Sequence, residues 1–166
     1  MKAASSKENF MFREGGASEE EIIALETCYN ITLPNDYREF LHKFGFVAWF
    51  GDYVCGLVEE NARLSKSCNV YRKTDYYRDF YNRAEFQSVP TDGVIINQYD
   101  GGGYYFLFSQ ESERAGEVGL FLTETYGQEV SKFNTFIDYL SFLINDTPDP
   151  ESVDVDYDKI MDIIED

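Results

Sequence analysis

The chain is poor in the groups that most often carry catalysis or cross-linking. His42 is the only histidine among 166 residues, so a His-based metal site or catalytic dyad has no second ring to build on. Cys28, Cys55 and Cys68 are far apart and show no C-x-x-C spacing. An odd, unpatterned set reads as free buried thiols rather than a disulfide frame or zinc site. Basic residues are scarce, 14 against 31 acidic ones, for a formal net charge of −17. That surface repels nucleic acid and anionic membranes and favours a basic partner, although solubility alone would also account for it. No apolar run approaches the roughly 18 residues of a membrane span. The opening MKAASSKENFMFREGGA has no apolar segment of the signal-peptide kind, so a cytoplasmic protein is expected. No serine sits in a nucleophile elbow, and the abundant carboxylates show no pattern. Neither catalysis nor a cofactor is expected.

Aromatic residues, in contrast, are plentiful: 14 Phe and 13 Tyr in a chain that is 43% apolar. That content can fill one sizeable core, and the length suits one domain. Ser18-Glu19-Glu20-Glu21 fits a capping box, followed by Ile22, Leu25, Cys28 and Tyr29 on one face. A helix is expected over about 19 to 29. Asn30-Ile31-Thr32 ends it, and Pro34 opens a second helix with Tyr37, Phe40, Leu41 and Phe44 inward and Gly45 as terminator. His42 falls between the buried positions, facing solvent. FVAWFGDYVCGLV, residues 46 to 58, reads as a strand, a bend at Gly51-Asp52 and a second strand. Residues 60 to 87 read as a polar helix with Leu64, Cys68, Tyr71, Tyr77, Phe80 and Tyr81 roughly on a face. Strands are then expected at 93 to 97, 104 to 108 and 117 to 123, with a short further one near Tyr126. Ser131 caps a last helix with Phe133, Phe136, Ile137, Leu140, Leu143 and Ile144 inward. The fold class is α+β: a mainly antiparallel twisted sheet flanked by an N-terminal helix pair, a middle helix and a C-terminal helix. Residues 1 to 17 read as a leader, 18 to 145 as the domain and 146 to 166 as an acidic tail.

Two motifs invite chemistry and are better read without it. The glycines after Asp100 precede a strand, not a helix, so they make a hairpin turn rather than a phosphate loop. In the tail, Asp154, Asp156, Asp158, Asp162 and Glu165 fall at calcium-loop positions. Lys159 stands where that loop needs glycine, and a second flanking helix is not expected. A solvated acidic segment is the better reading, and no metal is expected.

Residues 18 to 45 resemble the opening of the SUKH (Smi/Knr-like) superfamily. The matching positions are Glu21, Ile22, Glu26, Leu33, Pro34, Asp36, Tyr37, Phe40, Leu41 and Gly45. FGDYVCGL, GVIIN and the Phe133-Phe136-Leu140 segment continue the order more loosely, and the middle looks most like the compact bacillus-type members. The resemblance implies a non-catalytic immunity protein that neutralises the toxin domain of its own cell, often a nuclease. The fungal relatives imply an alternative, a regulatory interaction module of cell-wall synthesis. Because nuclease clefts are commonly basic, the acidic charge fits a cognate basic toxin domain as partner, with no nucleic acid and no membrane. An inhibitor face needs aromatic anchors in an acidic field. Trp49, Asp52 and Tyr53, at the break between two strands, combine these best. Tyr99 and Asp100 at the hairpin tip, and Glu124 and Tyr126 in the next turn, extend the patch if the strands pair as the family suggests. Trp49 and Tyr53 also fit the core. The oligomeric state is open.

Overall fold

The capping box at Ser18 is formed in the computed structural model, which describes residues 10–49, 52–59 and 67–145. Ser18 Oγ accepts from the Glu21 amide at 3.3 Å, and a Glu21 carboxylate oxygen accepts from the Ser18 amide at 2.9 Å. Helix α1 therefore starts at Glu19 and runs to Tyr29, where Asn30 turns left-handed (φ 53°) and stops it. The Leu33-Pro34 corner leads into α2, Asn35–Phe44, which ends at Gly45 with φ 67°. Leu33, Tyr37, Phe40 and Leu41 are all buried, as their spacing requires. The Tyr37 hydroxyl donates to the Cys55 carbonyl at 2.7 Å and so ties this corner to the strands beyond it.

Two antiparallel sheets follow. The smaller has the order β1-β2-β3, from Phe10–Phe12, Val47–Trp49 and Asp52–Val54. Its first strand pairs with β2 through residues assigned to the leader, so the end of that segment is part of the sheet. Helix α3, Val70–Arg83, comes next. The larger sheet is a meander of β4 (Gly93–Tyr99), β5 (Gly103–Phe108), β6 (Val118–Leu122) and β7 (Gln128–Phe133), closed by helix α4, Phe136–Asn145. The Cys55 amide donates to the Ile96 carbonyl at 2.6 Å and links the two sheets. Both faces of the larger sheet are covered. Val94, Ile96, Tyr105, Leu107 and Val118 share one core with α1, α2 and α4, whereas Ile95, Tyr104, Phe106, Phe108 and Phe121 share another with Tyr77 and Tyr81 of α3. This is the period-two alternation of a strand used on both sides. The α+β class and its flanking helices are as expected.

Several local assignments change. Ser131 does not cap a helix: it pairs with Leu120 in β7, as Phe133 pairs with Val118. The cap of α4 is Thr135, whose hydroxyl oxygen accepts from the Asp138 amide at 3.0 Å. The segment near Tyr126 is a 3₁₀ turn, Thr123–Thr125, and the strand begins after it. Cys28 is exposed, unlike buried Cys55 and Cys68. At 100° per residue it is turned about 120° from Ile22, off the buried face that Ile22 and Leu25 define. His42 is exposed and bridges the helix pair, with Nδ1 3.0 Å from the Ala17 carbonyl and Nε2 2.9 Å from Glu19. Leu64, the Gly51 bend and the tail carboxylates from Asp154 to Glu165 lie outside the described residues.

Candidate interaction site

Helix α3 organises the most distinctive surface of the described residues. Its sequence carries two aromatic doublets four residues apart, Tyr76-Tyr77 and Phe80-Tyr81. Neighbours on a helix point about 100° apart, so one ring of each doublet meets the sheet and the other stays outside. Tyr77 and Tyr81 are buried, whereas Tyr76 and Phe80 are 58% and 38% exposed. Phe80 was expected inward, and the doublet geometry is why it is not. The helix is fixed by polar ties as well as packing. Asn69 Oδ1 accepts from the Arg72 amide at 3.1 Å and caps it. Thr74, fully buried, accepts from the Ile95 amide at 3.0 Å. The Tyr77 hydroxyl donates to the Gly103 carbonyl at 2.8 Å, and Tyr81 Oη lies 3.1 Å from Thr123 Oγ1.

These ties set α3 beside two turns. The Thr123 amide donates to the Gly102 carbonyl at 3.0 Å, so the β4–β5 hairpin tip and the 3₁₀ turn lie side by side. The Gln87 amide donates to the Tyr126 carbonyl at 2.9 Å and joins the turn to the segment after α3. The result is a continuous ladder of rings. Tyr76 stacks with Phe80 (6.0 Å, 7°), Phe80 meets Phe86 edge-on (6.2 Å), and Phe86 meets Tyr126 edge-on (5.7 Å). Tyr126 is 69% exposed. Asp75, Asp79, Glu85 and Glu124 are exposed around the ladder. Between α3 and the hairpin tip runs an open groove of about 690 Å³, with Tyr76 and Phe80 on one wall and Gly102, Gly103 and Thr123 on the other.

The residues singled out in the sequence separate in space. Trp49 is buried at 4% and belongs to the main core, so it is not a surface anchor. Glu124 and Tyr126 sit at one end of the ladder, and Asp100 is exposed on the tip whose Gly102 and Gly103 line the groove. Tyr53 is half-buried at the opposite end, with the Lys73 ammonium 5.5 Å from its ring centre. Burial pushes its phenol far up, with Tyr77 and Asp100 among the lesser causes. Tyr99 turns to the other face of the sheet, where its ring meets Tyr105 at 6.2 Å. Asp52, the first residue of β3, is half-buried. Its charge is one of the lesser influences, after burial, that raise the Tyr139 phenol. The expected patch is therefore two patches. The sequence reading missed Tyr76, for which the doublets and the i, i+4 spacing to Phe80 were the available signal, and Phe86, which follows α3 and carries no such signal.

The SUKH_6 family model, described as SMI1-KNR4 cell-wall, matches residues 19–140. The chain belongs to this family. In this SUKH_6 domain the match opens at the start of α1 and closes inside α4, so it takes in the whole ladder and both turns beside it. The Leu33-Pro34 corner that carried the resemblance is the buried hinge of the helix pair, far in role from the exposed rings. Among the described residues, no helix is long and apolar enough to cross a membrane.

Proposed function

We propose that this SUKH_6 domain is an immunity protein: it binds a basic toxin domain of its own cell in the cytoplasm and neutralises it, without catalysis and without a cofactor. The observation that carries this reading is the exposed aromatic ladder on a chain of net charge −17. Large rings left in water are a standing cost that a partner relieves, and such rings supply most of the energy at protein interfaces. The surrounding carboxylates add steering toward a basic cleft, which raises the encounter rate and excludes substrate. The binding face in this proposal is the ladder with Glu124, Tyr126 and Asp100, and Tyr53 at its margin. Asp52 and Tyr99 form a secondary patch. Residues 18–145 are the binding domain, joined by the β1 strand Phe10–Phe12 that completes its smaller sheet, and 146–166 an acidic tail.

The test is protection. Cells that make the toxin encoded beside this gene should survive when the chain is co-produced and die when it carries Tyr76→Ala with Tyr126→Ala, the variant being as abundant as the wild type. The family description favours one alternative, a regulatory interaction module of cell-wall synthesis. Under that reading the neighbouring gene encodes no toxin, and its product kills neither with nor without the chain.

A further inference from the structure

The head of the groove carries charge of the opposite sign to the protein. Among the described residues, Arg13, Arg38, Arg83, Arg114 and Lys132 are each held by a carboxylate. Arg78 is held by the carbonyls of Pro90 and Gly93. Arg72 and Lys73 have no carboxylate partner among the described residues, in a chain with 31 acidic side chains; among the other described Lys and Arg residues, Lys43 on α2 and the carbonyl-bound Arg78 share this. Lys73 donates to Gln98 Oε1 at 2.8 Å, a neutral acceptor, and Arg72 is exposed. Both line the groove, as does Asp75, whose carboxylate accepts from the Tyr29 hydroxyl at 2.9 Å and leaves the two cations in excess.

Arg72, Tyr76 and Phe80 are i, i+4 and i+8 on α3. Successive side chains on that stripe rise by about 6 Å, and the Tyr76 and Phe80 rings are indeed 6.0 Å apart and parallel within 7°. A free cation thus stands one helical turn from a flat, open ring. Across the groove Gly102 and Gly103 leave bare backbone, and Thr123 and Gln98 add a hydroxyl and an amide. The volume of about 690 Å³ is that of a small-molecule site.

We propose that this groove binds a small ligand that joins one anionic group to a flat ring, with a nucleoside monophosphate as the simplest member of the class. The phosphate sits on Arg72 and Lys73, which suit it by charge and by the guanidinium fork. The base lies on Tyr76, since any base offers a π face to an aromatic side chain. A longer polyanion is disfavoured, because its charge would run out of the groove into the field of a −17 protein. The site does not depend on the toxin reading and stands or falls separately.

Calorimetric titration of the full chain with uridine 5′-monophosphate, uridine, inorganic phosphate and benzoate tests it. The nucleotide is expected to bind, with uridine and phosphate each weaker by at least about tenfold. Arg72→Ala with Lys73→Ala, and separately Tyr76→Ala, should each lower nucleotide affinity by at least about tenfold. Tyr76→Phe and Arg83→Ala should leave it unchanged. Because Arg72 and Tyr76 are exposed and Lys73 is half-buried, melting temperatures should fall by no more than a few degrees, and circular dichroism should show the variants folded. Benzoate binding more tightly than the nucleotide would overturn the phosphate assignment. No saturable binding up to about 10 mM nucleotide, or an affinity that survives both sets of variants, would overturn the site.

Discussion

Phe40 shows how one side chain holds the fold. It is 1% exposed, stacks on Tyr37 (5.8 Å, 12°) and meets Phe136 edge-on at 5.3 Å, so it joins α2 to α4. Phe40→Ala should cost about 3–5 kcal/mol in urea unfolding, as other large core truncations do. An unchanged midpoint would mean that the helix faces are misassigned. Arg13 gives a pH-dependent counterpart. Its guanidinium donates to Glu21 at 2.8 Å and, as the leading cause, holds that carboxyl below its ordinary value against the opposing effect of burial. A lowered carboxyl pKa stabilises the fold above the unfolded-state value and loses that contribution as pH falls through the folded-state value. The pair is partly exposed, so Arg13→Met should cost only about 0.5–1 kcal/mol near neutral pH. The gap in melting temperature from the wild type should narrow as pH falls below about 4.5, the ordinary glutamate range. A gap that widened on acidification would contradict the assignment. At this scale the core was legible where apolar residues keep a helical period, as in Tyr37, Phe40, Leu41 and Phe44. Trp49 was not, because a strand of three residues buried throughout has no alternation to read.

Among elements, β7 and the start of α4 separate what sequence can and cannot convey. The first five residues of β7 are exposed, so neither a period of two nor one of 3.6 is imposed on QEVSKF. The strand is specified instead by pairing with β6 and by cross-strand charges, with Arg114 reaching Glu129 at 2.6 Å and Lys132 reaching Glu117 at 2.7 Å. Those contacts depend on a strand across a turn, outside the window in which local periodicity is read, which is why the helix was placed too early at Ser131. The capping assignment predicts that Thr135→Ala loses about 1 kcal/mol. Ser131→Ala, on an exposed strand position, should stay within about 0.5 kcal/mol. Thermal melts of the two variants check this, and a reversed order would return the helix start to Ser131. The packing of α2 against the link between the sheets makes a sharper case. A β-carbon on Gly56 would come within 1.8 Å of the Gly45 carbonyl oxygen, and backbone cannot yield as a side chain tip can. Gly56→Ala should therefore cost about 1–3 kcal/mol or prevent folding. Recovery of soluble protein with wild-type stability would show that this contact is looser than it stands.

For the whole molecule, the sequence conveyed the family better than the surface the fold exposes. Net charge and the Leu33-Pro34 corner, read together, pointed to an acidic SUKH domain that acts by binding. They could not place the proposed face, because the rings of the ladder come from α3, the segment after it and a turn some 40 residues further on, brought together only by the sheet between them. Lifting acidic and aromatic residues from one stretch put Trp49 on a surface where it is not. Electrostatics should still be felt: with the toxin domain encoded beside this gene, raised salt should weaken binding mainly through a slower association rate. The most direct measurement of the central claim is the affinity of that toxin domain for the wild type and for Tyr76→Ala with Tyr126→Ala, with circular dichroism as the folding control. If the ladder is the hot spot, the folded double variant binds at least about thirtyfold more weakly, the equivalent of about 2 kcal/mol. An affinity unchanged in that variant, but lowered by Asp52→Lys with Tyr99→Ala on the other face of the sheet, would contradict the account.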